Sequence, residues 1–350
     1  MTQGALAVPR FRGSPRAVGR AIGRAMGPRL EANIQRYLRE RPPRPDAIDA
    51  DRLRREALRW LDALPERFRE ELEGLAEGAG LARLHVAEWA CIDSFLDDGC
   101  SAVLARIGGH VWIARNNDMF VPGIWGHAVV RAINGRIPTL TFGQEGDVFT
   151  ATGINGEGLW LHHQALAVSD APRPGRPRMS GWILLADMLE TCATISDVEA
   201  RLVRVDRDEG MLLFAVDGKT DEAALFECAC SRHVRRDAGG PFAAGTNHAV
   251  ALREHPSAGD SPSRLTRLEE LASRLLEPGV LPRVPDDLIA ILADPAVERR
   301  GARFATVYSV VACPATRATW FTFGGEPAAS SGRWSPVAWP WTRRRRRVAG

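Results

Sequence analysis

The residues that could do chemistry start at a glycine followed by a cysteine, Gly99-Cys100, inside the run Leu96-Asp97-Asp98-Gly99-Cys100-Ser101. A cysteine preceded by a residue without a side chain can attack the carbonyl before it. The acyl group then shifts from nitrogen to sulfur, and hydrolysis of that ester cuts the chain and frees an α-amine. Such an amine has a reference pKa of about 7.7–8.0, so a good fraction is neutral near pH 7 and can take the thiol proton directly or through one water. The cysteine then carries its own base and needs no histidine. Eighteen residues on lies Asp118, closing Ala114-Arg115-Asn116-Asn117-Asp118, and Thr246-Asn247-His248 follows much later. Each also has a plain structural reading: Cys100 as a small buried residue, Asp118 as a turn or cap, Arg115 as an ion-pair partner, Asn247 as a turn former after Gly245.

These residues need elements to hold them. Apolar residues at near-fourfold spacing predict helices over residues 15–40, interrupted at Gly27-Pro28, over 46–78, interrupted at Pro65, and over 83–96. After Cys100 the texture changes to short β-prone runs split by Gly108-Gly109 and Asn134-Gly135, both hairpin signals. Residues 153–166 (GINGEGLWLHHQAL) add a turn and a strand. Helical periodicity returns over 181–205, with Ser196 and Asp197 suited to capping. A hairpin around Asp217-Gly218 is expected over 210–236, and a helix over 261–275 opened by Pro262. Strands near 304–312 and 318–324 enclose Pro314. The pattern predicts a sheet core built of antiparallel hairpins with helices packed outside it.

The order DGCSAV, IARNNDMF, GINGEGLWLHHQAL, AGTNHAV and SPSRLTRLEEL resembles the acyl-coenzyme A:6-aminopenicillanic acid acyltransferase family, related to penicillin V acylase and bile-salt hydrolase. The resemblance covers roughly residues 85–325 and lies in order and spacing. It implies an α+β, four-layer αββα N-terminal-nucleophile hydrolase fold. It places self-cleavage between Gly99 and Cys100, the nucleophile on Cys100, the carboxylate that orients the freed amine on Asp118, and an arginine that favours the thiolate on Arg115. The oxyanion donor falls on Asn247; loss of such a contact typically costs ~2.7–4 kcal/mol in the barrier. Where the family carries a second donor, often asparagine, this chain has His162-His163-Gln164, which makes Gln164 the candidate from a longer stem. The family's acyl-pocket residues do not map onto 121–150, so substrate identity does not carry over.

The resemblance divides the chain into a helical segment 1–99, expected to remain bound as a small subunit because its apolar faces need burial, a catalytic region 100–340, and a basic, disordered tail 341–350. The implied activity is a self-processing amidohydrolase or acyltransferase working through a thioester on Cys100. A small-molecule amide or acyl donor is its partner, and acyl-coenzyme A is a donor substrate rather than a cofactor. The rival is a family member that no longer cleaves and serves as a binding or scaffolding protein.

The bulk composition excludes other classes. The net charge of +3 over 350 residues gives no argument for nucleic-acid or anionic-membrane binding. The run of arginines near the C-terminus is a like-charge block suited to solvent. No stretch approaches eighteen uninterrupted apolar residues, so no simple membrane span is expected. Six cysteines without a disulfide rhythm, and an N-terminus without the apolar core of a signal peptide, fit a reducing cytoplasm. Cys228-Ala229-Cys230 sits in a strand-like run and His162-His163 are adjacent, so each pair would face opposite sides of a sheet. With no zinc-binding spacing present, no metal is expected. Arg264 reads as a helix anchor or a partner for a substrate carboxylate.

Overall fold

The computed structural model describes residues 6–40, 50–93, 99–253 and 259–341. Residues 94–98, just ahead of the expected cleavage point, and residues 342–350 of the basic tail lie outside the described residues. The N-terminal part runs β1 (Arg10–Gly13), α1 (Pro15–Met26), α2 (Pro28–Glu40), α3 (Ala50–Ala63), α4 (Glu66–Ala79) and α5 (Arg83–Asp93). Strands follow: β2 (Gly99–Ile107), β3 (His110–Phe120), β4 (Trp125–Ile133), β5 (Thr139–Gln144), β6 (Thr152–Asn155), β7 (Leu159–Leu166) and the short β8 (Arg178–Met179). Next come α6 (Gly181–Thr191), α7 (Ile195–Arg204), β9 (Asp206–Arg207), β10 (Gly210–Asp217), β11 (Glu222–Cys228), β12 (His233–Asp237) and β13 (Phe242–Gly245). The chain closes with α8 (Ser261–Leu275), α9 (Asp286–Leu292), β14 (Phe304–Cys313), β15 (Ala318–Phe323), α10 (Ala328–Ser331) and β16 (Arg333–Pro336).

Two sheets form the centre. One has the order β1-β4-β5-β6-β7-β10-β11-β12, the other β13-β2-β3-β14-β15-β16. Alternation along the strands gives each sheet two apolar faces. Leu159, Leu161, Leu213 and Phe226 pack outward against Leu184, Met188, Val198 and Leu202 of α6 and α7. Val103, Trp112, Ala114 and Val311 pack outward against Leu265, Leu268, Leu288 and Leu292 of α8 and α9. Between the sheets lie Leu104, Ile113, Phe142, Trp160, Phe214 and Phe321. The result is the expected αββα sandwich.

The N-terminal helices extend that middle core. Val18, Leu30, Phe68, Leu72 and Trp89 are buried in one cluster with Trp125, Ala128 and Phe149. Ser14 caps α1 through a bond from the Ala17 N–H, Pro15 opens it, and the break at Gly27-Pro28 falls where expected. α1 and α4 touch backbone to backbone: a Cβ on Gly19 would lie 2.0 Å from the Glu71 carbonyl oxygen. That contact, and the strand β1 running parallel to β4, were not visible as periodicity. In α7 the cap is Thr194, two residues before the expected Ser196; Asp197 closes the capping box.

Four buried ionic side chains tie the helices to the sheets. Arg67 on α4 pairs with Glu71 and with Glu190 on α6, its Nε lying 2.8 Å from Glu190 Oε2. Arg131 on β4 places its Nε 2.8 Å from Glu71 Oε1 and donates to the Asp147 carbonyl. Phe149, beneath Trp60 and Phe68, continues into Ala151 and Thr152, which reach the site below. No helix among the described residues is long and apolar enough to cross a membrane.

Candidate active site

β2 and β3 form one hairpin across Gly108-Gly109. Ile107 pairs with His110, and the unbroken register carries on to Cys100 opposite Asn117 and Gly99 opposite Asp118. Strand alternation then divides the predicted residues between two faces. Cys100, Arg115 and Asn117 face the partner sheet. Asp118 and Asn116 face α8 and α9, where Asn116 Nδ2 donates to the Leu292 carbonyl.

On the inner face, Cys100 is completely buried. Its Sγ lies 3.6 Å from Arg115 Nη2 and 3.8 Å from Asn117 Oδ1. Arg115 is equally buried. Its Nη2 donates to Asn117 Oδ1 at 2.7 Å and to the His163 carbonyl at 2.8 Å, while Nη1 donates to the Ala151 carbonyl and the Thr152 hydroxyl. Among the described residues no carboxylate lies within ion-pair distance of this guanidinium. A desolvated cation surrounded by neutral oxygens gains from an anion beside it, and the ionisable atom it touches is Cys100 Sγ. In three other cysteines burial outweighs a nearby arginine: it pushes the thiols of Cys228 and Cys230, near Arg207, up to about 12 and that of Cys192, near Arg201, up to about 11. Tyr308, bonded to Thr152 Oγ1 at 2.9 Å, backs the same wall, and burial pushes its phenol up to about 12.

The outer face is ionic. Asp118 Oδ1 accepts from Thr306 Oγ1 at 2.6 Å, and Oδ2 lies 3.8 Å from Arg264 Nη1 and 4.0 Å from Arg299 Nε. Burial pushes the Asp118 carboxyl up to about 6, opposed chiefly by Arg264 and by the Thr306 hydrogen bond. Arg264, from the first turn of α8, donates from Nη1 to the Cys100 carbonyl at 2.8 Å and from Nη2 to Asn247 Oδ1 at 2.8 Å. Asp260 holds both Arg264 and Arg299. Gly99 fits here because it has no side chain: an added Cβ would meet the Phe304 ring at 2.8 Å.

Two expected donors are aimed differently from the sequence reading. Asn247 lies beside Cys100, but it is Oδ1 that accepts the Cys100 N–H, at 2.9 Å, while Nδ2 donates to the Ala165 carbonyl at 3.1 Å. The orientation is fixed because Arg264 can only donate, so the atom facing it is the oxygen. Asn247 therefore stands as an acceptor for the nucleophile's nitrogen. Gln164 faces the space between the sheets. With its amide turned to suit its neighbours, the nitrogen donates to the carbonyls of Thr246 and Gly245 at 2.6 and 3.1 Å, and the oxygen accepts from the Ala102 N–H at 3.1 Å. That amide clasps β7 to β2 and to the end of β13, and its donors are spent on carbonyls.

The histidines fall apart as alternation requires. His162 stacks on Phe214 between the sheets and accepts from Trp160 Nε1 at 2.9 Å, whereas His163 lies edge-on to Trp182 of α6. His248 Nδ1 lies 2.8 Å from Ser261 Oγ. Asn117 was passed over in the sequence. Its signal was the two-residue turn at Gly108-Gly109, which by counting outward places residue 117 opposite residue 100.

No family model matches the sequence, and no curated protein does. Solved structures do. A variant of conjugated bile acid hydrolase from Clostridium perfringens aligns with a TM-score of 0.50 at 11% identity, covering 71% of this chain and 100% of its own. An N-acylethanolamine-hydrolyzing acid amidase orthologue from Caenorhabditis elegans gives a TM-score of 0.45 at 15% identity over 62% of this chain and 93% of its own. Penicillin V acylase from Agrobacterium tumefaciens gives 0.44 at 15% identity, over 65% and 84%. With the layers and the first of these likenesses in hand, the fold is that of the N-terminal-nucleophile hydrolases.

Proposed function

We propose that this chain cuts itself between Gly99 and Cys100 and then cleaves or forms amide bonds through a thioester on Cys100. The observation that carries the reading is the fully buried Arg115, whose ionisable contact is Cys100 Sγ at 3.6 Å. A guanidinium in that position stabilises the thiolate and leaves the sulfur a better nucleophile at neutral pH.

The freed α-amine of Cys100 takes the thiol proton. Asn247 Oδ1, 2.9 Å from that nitrogen in the uncut chain, is placed to hold it. Asp118 and Arg264 act from the other face, where Arg264 grips the Cys100 carbonyl and fixes the strand end. Sulfur attacks the acyl carbon, the amine leaves with the proton, and water or a second amine releases the acyl group. A small amide, or acyl-coenzyme A used as a donor, would enter this cycle at the same step. Residues 1–99 stay attached after the cut as a small subunit, held by the shared apolar core and the buried Arg67, Glu71, Glu190 and Arg131.

Self-cleavage is tested by a denaturing gel with N-terminal sequencing. Two fragments, the larger beginning at Cys100, are expected; the Cys100→Ala variant should run as one band and hydrolyse nothing. The complete burial of Cys100 favours a second reading, a non-cleaving binding protein, and an intact chain in every preparation would count heavily for it.

A further inference from the structure

Acyl transfer needs a donor for the oxygen of the tetrahedral intermediate, and neither amide expected to serve is aimed to do so: Asn247 Nδ2 is bonded to Ala165, and Gln164 is bonded to Thr246 and Gly245. A third amide lies beside the sulfur. Asn117 is the cross-strand partner of Cys100, it is completely buried, and its Oδ1 lies 3.8 Å from Cys100 Sγ. That oxygen also accepts from Arg115 Nη2 at 2.7 Å. Because a guanidinium only donates, the bond identifies this atom as oxygen and the other as the NH2 group. Asn117 Nδ2 is buried and has no hydrogen-bond partner among the described residues. Leaving such a donor unsatisfied is costly and uncommon in folded proteins.

We infer that Asn117 Nδ2 is the side-chain oxyanion donor of the intermolecular reaction. The inference rests on the proposed thioester chemistry at Cys100. In the step it serves, the thiolate forms a bond to the acyl carbon and the π pair of the carbonyl moves onto oxygen. Nδ2–H donates to that oxygen. When the C=O bond re-forms, the C–N bond breaks and the departing amine takes the proton first removed from the thiol. The arrangement is preorganised, since Arg115 holds the amide by its oxygen and leaves its nitrogen without a hydrogen-bond partner among the described residues. One guanidinium thereby serves both the nucleophile and the donor.

The test compares two reactions of the same sulfur in the purified, processed protein. A p-nitrophenyl acyl ester reacts through a tetrahedral oxyanion; iodoacetamide alkylates sulfur by displacement and forms none. Asn117→Ala should acylate about a hundred-fold or more slowly than wild type while alkylating within about threefold of it. Asn117→Leu, which fills a similar volume but offers neither donor nor charge, should lose acylation as well; it safeguards the result against a collapse of the site in the alanine variant. Either variant acylating at the wild-type rate overturns the inference, as does an equal loss of acylation and alkylation in Asn117→Ala, which would make Asn117 a positioning residue for the thiolate. Wild-type protein that alkylates but never acylates defeats the thioester reading itself, and this inference with it.

Discussion

Two groups of buried arginines reach the neighbouring strands β5 and β6, and they differ in what surrounds them. Arg67 and Arg131, where the N-terminal helices meet the sheets, are matched by Glu71 and Glu190. Arg115, where the sheets face each other, is surrounded by two carbonyls, an amide, a hydroxyl and a thiol. Both pay for desolvation. The first set is compensated by carboxylates within the fold; Arg115 has neutral oxygens and a thiol, and on the reading proposed above a Cys100 thiolate supplies its counter-charge. Burial alone does not separate a structural arginine from a functional one. Nor does the lack of a carboxylate, since the equally buried Arg207 is held by the carbonyls of Ala229, Leu202, Val205 and Arg232; what sets Arg115 apart is its contact with a thiol.

The largest effect should come from exchanging the two roles. Arg115→Leu should slow alkylation of Cys100 by iodoacetamide at pH 7 at least tenfold and abolish acylation, with a loss of stability smaller than that of the other site. Arg67→Leu should do the reverse, destabilising the chain by about 3–5 kcal/mol because Glu190 loses its buried partner and Glu71 keeps only Arg131, while alkylation stays near wild type in the folded fraction. Urea unfolding and alkylation rates measured on both variants decide the point. If Arg115→Leu leaves the sulfur as reactive as before, the distinction between the two sets fails.

Asp118 extends the comparison to pH. Its carboxyl, pushed up to about 6 by burial, binds a proton more readily in the folded chain than in the unfolded one. The fold is therefore favoured at low pH and loses that advantage as pH rises from about 4 to about 6. Above that range the cost levels off at about 3 kcal/mol. Unfolding of Asp118→Asn measured across this window should move in the variant's favour by about that amount as pH rises, and the difference should be flat above about pH 7. A constant difference from pH 4 to 8 would show that Asp118 titrates as an ordinary surface carboxylate.

Much of this arrangement was legible in the sequence, and the misses have physical reasons. Helix breaks at Gly27-Pro28 and Pro65 and the turns at Gly108-Gly109 and Asn134-Gly135 are local signals, and they fall where expected. The strand β1 is only Arg10–Gly13, too short for alternation to register, and it pairs with β4 over a long sequence separation. At the site, types and order were enough to put Cys100, Arg115 and Asp118 on one hairpin, whose register is set by the turn, while Asn247 arrives from the end of β13, paired to β2 over a long separation. What they could not fix was the rotation of amides. Asn247 presents its oxygen because Arg264 arrives from α8, and Gln164 turns to carbonyls that belong to the other sheet. Both depend on contacts between distant segments.

Smaller effects should sharpen the same picture. Gly99→Ala forces a methyl against the Phe304 ring; overpacking of this kind costs about 1–3 kcal/mol, and self-cleavage should slow visibly on a timed gel. Gln164→Leu should cost a similar ~1–3 kcal/mol, since carbonyls of Thr246 and Gly245 lose their donor. Its rate of acylation should nevertheless stay within about threefold of wild type, and a hundred-fold fall would return the oxyanion role to Gln164.

The most direct measurement is the intact mass of the purified protein before and after exposure to a p-nitrophenyl acyl ester. Two fragments divided between Gly99 and Cys100, with one acyl group added to the larger and none in Cys100→Ala, are the predicted result. A single uncut mass that gains no acyl group would contradict the account at its root.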